Sequence, residues 1–150
     1  MSAHFSWEEM TATSHADIQA QNRREAETWR ANIEGTMLLL EQVRAILGVG
    51  IHVNSGFRGP SLNAAVGGSK TSQHMRGEAA DIVPGGRLSL DQAFAVLASA
   101  VDQRELRVGQ LLKEKSWIHI SNRGTRPPAL CGEIGHQDAS GRVVIDRRVA

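Results

Sequence analysis

Apolar and polar positions recur along this chain with two different periods, and the change of period separates its elements. From Glu25 to Leu47 the apolar residues Trp29, Ile33, Met37 and Leu40 return every three to four positions, with Ile46/Leu47 about two turns further on, which draws one apolar stripe along a helix. Gly48 and Gly50 follow it as stop signals. A stripe of this kind is core material and not a partner-binding face. Residues 16–28 are polar and either run into this helix or precede it as a loop. Ser89-Leu90-Asp91-Gln92 has the form of a capping box that opens a second helix to about Val101, with Phe94, Leu97 and Val101 inward. Ser6-Trp7-Glu8-Glu9 has the same form before a shorter one. Elsewhere the period shortens to two, and short strands are expected at Ile51–Asn54, Ala79–Val83, Gly109–Glu114 and Trp117–Ser121, with a last strand at Arg142–Asp146. Gly56 to Pro60 reads as a turn and Ser61 to Val66 as one or two helical turns. Helices packed on a small, mostly antiparallel sheet make an α+β fold. One domain is expected, with a helical part over 1–48, a central part over 49–121 and a loop-rich tail over 122–150.

Composition narrows the function classes. A chain of 150 residues supports one core, and 41% hydrophobic with 22% charged residues is ordinary for a folded globular protein. Seventeen Lys and Arg against sixteen Asp and Glu leave a net charge of +1, with the basic residues interleaved among acids. That balance argues against nucleic acid and anionic membrane as partners. The single cysteine, Cys131, excludes an internal disulfide and a cysteine-based zinc site. Met1 to Met10 contains Glu8 and Glu9 and no apolar stretch of the kind found in signal peptides. No apolar run approaches a membrane-spanning length. Synthesis in the cytoplasm without a signal peptide is therefore expected, with later release or export to any external substrate, and a monomeric protein.

The residues able to do chemistry crowd into two stretches: Ser55-Gly-Phe-Arg-Gly-Pro-Ser-Leu-Asn63 running on to Ser72-Gln-His-Met-Arg-Gly-Glu-Ala-Ala-Asp81, and Trp117-Ile-His-Ile-Ser121. Imidazole nitrogen and carboxylate oxygen suit Zn²⁺, whose catalytic sites keep three protein ligands and one open position. His74 and Asp81 are seven residues apart, which is not the one-turn spacing of a helical ligand pair. It suits a loop that turns at Gly77 and enters a strand carrying Asp81. His119 lies on a later strand, so spacing alone does not bring the three together.

These motifs in this order resemble the zinc D-alanyl-D-alanine carboxypeptidase family, which includes phage endolysins, D,D-dipeptidases and L-Ala-D-Glu endopeptidases and shares its metal-site fold with the hedgehog signalling domain. The resemblance covers about residues 5 to 121. It implies one Zn²⁺ held by His74, Asp81 and His119. It implies Arg58 on the scissile carbonyl and the developing oxyanion, and Ser72 and Gln73 along the substrate site. Many members carry a carboxylate three positions before the last histidine ligand; here that position is Ser116, and the nearest carboxylate is Glu114, five before. If Lys115-Ser116 is a two-residue hairpin loop, Glu114 pairs with Trp117 and Leu112 with His119, and Glu114 lies diagonal to His119 as a candidate general base. Lys-Ser is not a favoured two-residue turn.

Plainer roles compete at several positions. Arg58 could be a structural ion-pair partner, Glu114 a solvated strand residue, Ser72 a local backbone cap, and Trp117 packing beside the metal. His4, His15, His52 and His136 have no partner set. The expected function is hydrolysis of a peptide bond in bacterial peptidoglycan, acting on stem peptides as carboxypeptidase or endopeptidase, in a phage or prophage lysis setting. A catalytically inactive, zinc-stabilised cell-wall-binding or structural module is the alternative. A His/Asp metal-dependent nuclease is a third reading, disfavoured by the charge balance.

Overall fold

The computed structural model describes residues 2–150. The chain opens with α1 (Trp7–Met10), whose Ser6 cap accepts from the Glu9 N–H, while the reciprocal Glu9 side-chain bond of a full capping box is not made. The helix anticipated over Glu25–Leu47 is two helices. The first is α2 (Gln19–Ala26), and a tighter turn at Glu27–Trp29 links it to α3 (Arg30–Leu47). Ile33, Leu40 and Val43 are fully buried along α3, with Met37 nearly so, whereas Ile46 and Leu47 only pack against the core. The stripe thus reaches its deepest C-terminal point one turn earlier than Leu47. Gly48 ends α3 with a left-handed φ of 70°, and its N–H bonds to the Arg44 carbonyl.

Strand β1 (Ile51–Ser55) is followed by α4 (Pro60–Ala65), β2 (Ala79–Pro84), α5 (Leu90–Asp102), β3 (Gln110–Lys113) and β4 (Ile118–Ser121). The capping box at Ser89 is complete, with Gln92 returning to the Ser89 N–H. On α5, Leu97 and Val101 are buried, joined by Ala93 and Ala100, and Phe94 is only partly covered.

The tail holds more strand than expected. The strand anticipated at Arg142–Asp146 is β6 (Val143–Arg148), and it is preceded by β5 (Glu133–Gln137) in a stretch expected to be loop. The sheet runs β1-β2-β4-β3-β5-β6, antiparallel throughout except where β5 lies parallel to β3. Ile134 of β5 is 1% exposed and belongs to the main core, so the tail is structural. A parallel partner needs a crossover and leaves no short-range signature in the sequence.

The sheet has two unlike faces. Ala80, Ile82, Leu111, Ile118, Ile120 and Ile134 turn toward α3 and α5 and form the core. The alternate positions, Asp81, His119, Leu112 and Gln110, turn the other way. An α+β domain with helices on one sheet face leaves the second face free to carry a cleft.

Candidate active site

Two antiparallel ladders place the central residues. Asp81 on β2 is directly opposite His119 on β4, and His119 is directly opposite Leu112 on β3. The Glu114 N–H bonds to the Trp117 carbonyl at 2.9 Å, so the hairpin loop is Lys115-Ser116 and Glu114 pairs with Trp117 as the spacing anticipated. His74 arrives from a tight turn at Gln73–Arg76, capped by Ser72, whose Oγ accepts from the His74 N–H. Gly77 ends that turn at φ 71°, and a Cβ there would stand 2.5 Å from Ile33 Cγ1. Only glycine fits both the left-handed backbone and the close approach to α3.

His74 Nε2 and His119 Nδ1 each lie 3.2 Å from the same atom, Asp81 Oδ1. The two imidazoles meet edge to face, with ring centres 5.3 Å apart. The far nitrogen of each ring is also engaged. His74 Nδ1 is 2.7 Å from the Gly56 carbonyl, just beyond an irregularity in β1 between Val53 and Ser55. His119 Nε2 is 3.1 Å from Gln73 Oε1. A carbonyl can only accept, so His74 Nδ1 carries the hydrogen, and the Gln73 oxygen sets His119 Nε2 in the same way. Neutral rings so fixed aim two lone pairs at a carboxylate oxygen. Three acceptors converge, all within 4.8 Å of one another, and this is repulsive unless positive charge lies among them.

That arrangement fits a divalent metal ion. Two imidazoles oriented by oxygen acceptors, with one carboxylate, make the donor set and outer shell of a catalytic zinc site. Among the described residues this is the one group of His, Cys, Asp or Glu side chains arranged to hold such an ion. His4 pairs instead with Glu41, and His136 with Asp146. Cys131 is buried and unpaired.

The three residues lie in an open cleft of about 360 Å³. Arg58, Ser72, Gln73, Glu114 and Trp117 line it as well, so every sequence-nominated residue falls in one place. Arg58 is held by a backbone bond from its N–H to the His74 carbonyl at 3.0 Å, and its Nη2 donates to Ser72 Oγ at 3.3 Å. Its Nε is buried without a partner. Ser72 and Gln73 therefore have inward duties. Ser72 caps the ligand turn and steadies Arg58. Gln73, only 7% exposed, orients His119, and its own Nε2 is left without a partner.

Electrostatics separates the two carboxylates. Burial alone would raise the Asp81 pKa, but His119 and His74 beside its Oδ1, which are donors there only when their rings are doubly protonated, outweigh it and hold the group well below the usual carboxylate range. Burial and the negative charge of Asp81 push the Glu114 carboxyl above its ordinary value, against the opposing pull of His119, Trp117 and Arg58. One carboxylate stays ionised and the other is shifted toward the range useful to a base.

Sequence reasoning did not single out Gln110 or Arg126, which also line the cleft. Gln110 was findable in principle, because it shares its face of β3 with Leu112 and Glu114. Arg126 lies beyond the last motif, and nothing local marks it.

The chain is similar to known proteins. The zinc D-Ala-D-Ala carboxypeptidase of Streptomyces albus G is 43% identical to it over 76 residues, an alignment spanning 50% of this chain and 28% of that protein. The family model described as Peptidase M15 matches residues 3–121. That span takes in both histidines, the aspartate between them, Arg58 and Glu114, and it covers most of the chain, which belongs to the peptidase M15 family.

Proposed function

We propose that the protein is a zinc-dependent peptidase that hydrolyses a peptide bond in the stem peptides of bacterial peptidoglycan. The observation that carries this reading is the convergence of His74 Nε2 and His119 Nδ1 on Asp81 Oδ1, with the far nitrogen of each ring bonded to oxygen. Membership of the peptidase M15 family and the likeness to a zinc D-Ala-D-Ala carboxypeptidase support the reaction class and the substrate. An open cleft suits a polymeric substrate. Among the described residues no helix is long and apolar enough to cross a membrane.

His74, Asp81 and His119 would hold the zinc ion, which supplies a Lewis acid that acidifies water and polarises a carbonyl. Glu114, with its raised pKa, accepts the proton of the attacking water and returns it to the nitrogen of the leaving amine. Arg58, within electrostatic reach of Asp81 and Glu114, donates to the substrate carbonyl oxygen as negative charge builds there. Gln73 and the Gly56 carbonyl keep both imidazoles in the ligating tautomer. We also assign the activity to a lytic, endolysin-like setting, whose test is clearing of permeabilised bacterial cells by added protein.

The decisive experiment is release of new amino groups from purified sacculi by the zinc-loaded protein. The wild type should release them, and Glu114→Ala should lose 10²- to 10⁴-fold in kcat. A wild type that binds one equivalent of zinc and releases no amino groups would instead identify a cell-wall-binding module.

A further inference from the structure

The cleft continues past the three metal-facing residues toward a second cation. On the cleft side of β3, Glu114, Leu112 and Gln110 form a row at alternate positions, and Leu112 stands opposite His119. At about 3.4 Å per residue, Gln110 lies ~7 Å beyond Leu112 and ~14 Å from Glu114. Arg126 lines the cleft at that end.

Arg126 is firmly positioned. Its Nε donates to the Leu130 carbonyl at 2.7 Å and its Nη2 to Glu133 Oε1 at 2.6 Å. Nη1 has no protein partner among the described residues and is not sealed from solvent. Glu133 is 3% exposed. It also takes Gln110 Nε2 at 2.7 Å, and Arg148 through Nε and Nη2 at 2.9 and 2.6 Å. One carboxylate between two guanidinium groups leaves a positive charge uncompensated.

The turn that delivers Arg126 is tied to the ligand-bearing segment itself. Glu78, three residues before Asp81 and fully buried, accepts from the Thr125 hydroxyl at 2.7 Å and the Thr125 N–H at 3.2 Å. The Glu78 carbonyl accepts from the Asn122 N–H. Gly124 has φ 39°, and a Cβ there would lie 2.6 Å from Glu78 Cδ. Arg126 is therefore held relative to Asp81 through polar bonds to a buried carboxylate and not through a free loop.

We infer that Arg126, with Gln110 beside it, forms a subsite that recognises a free carboxylate of the substrate peptide away from the scissile bond. The planar guanidinium offers its unused N–H groups to an anion, and the Gln110 side chain sets the near wall. Arg126 lies outside the residues matched by the family model, so the charge of this subsite comes from the tail that completes the sheet. It rests on the peptidase reading above and deepens it, by making substrate charge a determinant of which peptides are cleaved.

The test uses the full zinc-loaded chain and two synthetic stem peptides. They differ only in whether the carboxylates away from the scissile bond are free or converted to carboxamides. The wild type should cleave the free acid with kcat/KM about tenfold higher, the scale of one partly exposed charge-assisted hydrogen bond. Arg126→Gln should bring the two peptides within twofold, mainly through KM for the acid, and Arg126→Lys should restore part of the preference. An Arg126→Gln variant that folds and keeps the full acid preference would overturn the inference. Because Glu133 is buried, that variant is checked by thermal unfolding. The wild-type ratio also stands without any variant, and a wild type indifferent to amidation overturns the subsite. Failure of the wild type on both peptides and on sacculi would reject the peptidase reading itself.

Discussion

His119 Nε2 lies 3.1 Å from Gln73 Oε1, and this contact decides which nitrogen of His119 faces Asp81. The amide oxygen keeps the hydrogen on Nε2, so Nδ1 presents its lone pair at 3.2 Å from Asp81 Oδ1. Gln73→Ala frees the ring to rotate and to change tautomer. Zinc affinity should fall about 10- to 100-fold, the usual cost of losing such an orienting bond. Activity should return in excess zinc. Competition with a chromophoric chelator measures the affinity; an unchanged value would show that Gln73 only fills space.

Removing the metal should destabilise the fold. Without a cation, His74, His119 and Asp81 bring acceptors together in a largely buried place. At a hundredfold excess of zinc over its dissociation constant, binding contributes about 2.7 kcal/mol. For a chain of this size that corresponds to roughly 5–10 °C in Tm. Calorimetry with and without chelator reads the difference directly. His74→Ala should show no chelator-dependent shift, and a shift of wild-type size in that variant would remove His74 from the ligand set.

Glu114 should show opposite signs in stability and in activity. Its folded-state pKa is raised, by burial first and by Asp81 second. The folded protein therefore binds the proton more tightly than the unfolded chain. The metal-free protein loses stability as pH rises from the unfolded pKa through the folded one. Glu114→Gln removes this loss. The metal-free variant should melt higher than wild type at pH 7, with the gap closing toward pH 4, while hydrolysis collapses. Equal melting curves at both pH values would show that Glu114 is ordinarily solvated.

The tail should be required for folding. Deleting 122–150 removes β5 and β6, uncovers the edge of β3 and takes Ile134 out of the core. It also strips Glu78 of its Thr125 donors. The truncated chain should lose cooperative thermal unfolding. Gly124→Ala is the milder probe: the added methyl meets Glu78 at a left-handed position and should cost about 1–3 kcal/mol. A truncated chain that unfolds cooperatively with the wild-type Tm would make the tail an appendage.

Much of this was readable from the chain because it is local. The Ser89 capping box and the Gly48 stop depend on neighbours within a few residues, whereas the loop at Lys115-Ser116 has no favoured turn residues and was only a condition until the Glu114–Trp117 bond placed it. The α2–α3 division was not readable, because both halves are helical and the tightened turn at Glu27–Trp29 bears no proline or glycine. The metal-facing residues were identified by their motifs and the family these resemble. Their shared orientation is a product of strand register.

The sequence by itself determined the periods, the caps and the turn glycines, since each is set by hydrogen bonds and sterics within a turn or a strand. The tertiary structure alone decided that Asp81 stands opposite His119, that β5 lies parallel to β3, and that Arg126 shares a cleft with Glu114. Those relations join positions tens of residues apart. The free energy that enforces them comes from burying the helix-facing side of the sheet, and no short stretch of chain encodes which distant strand will share that burial.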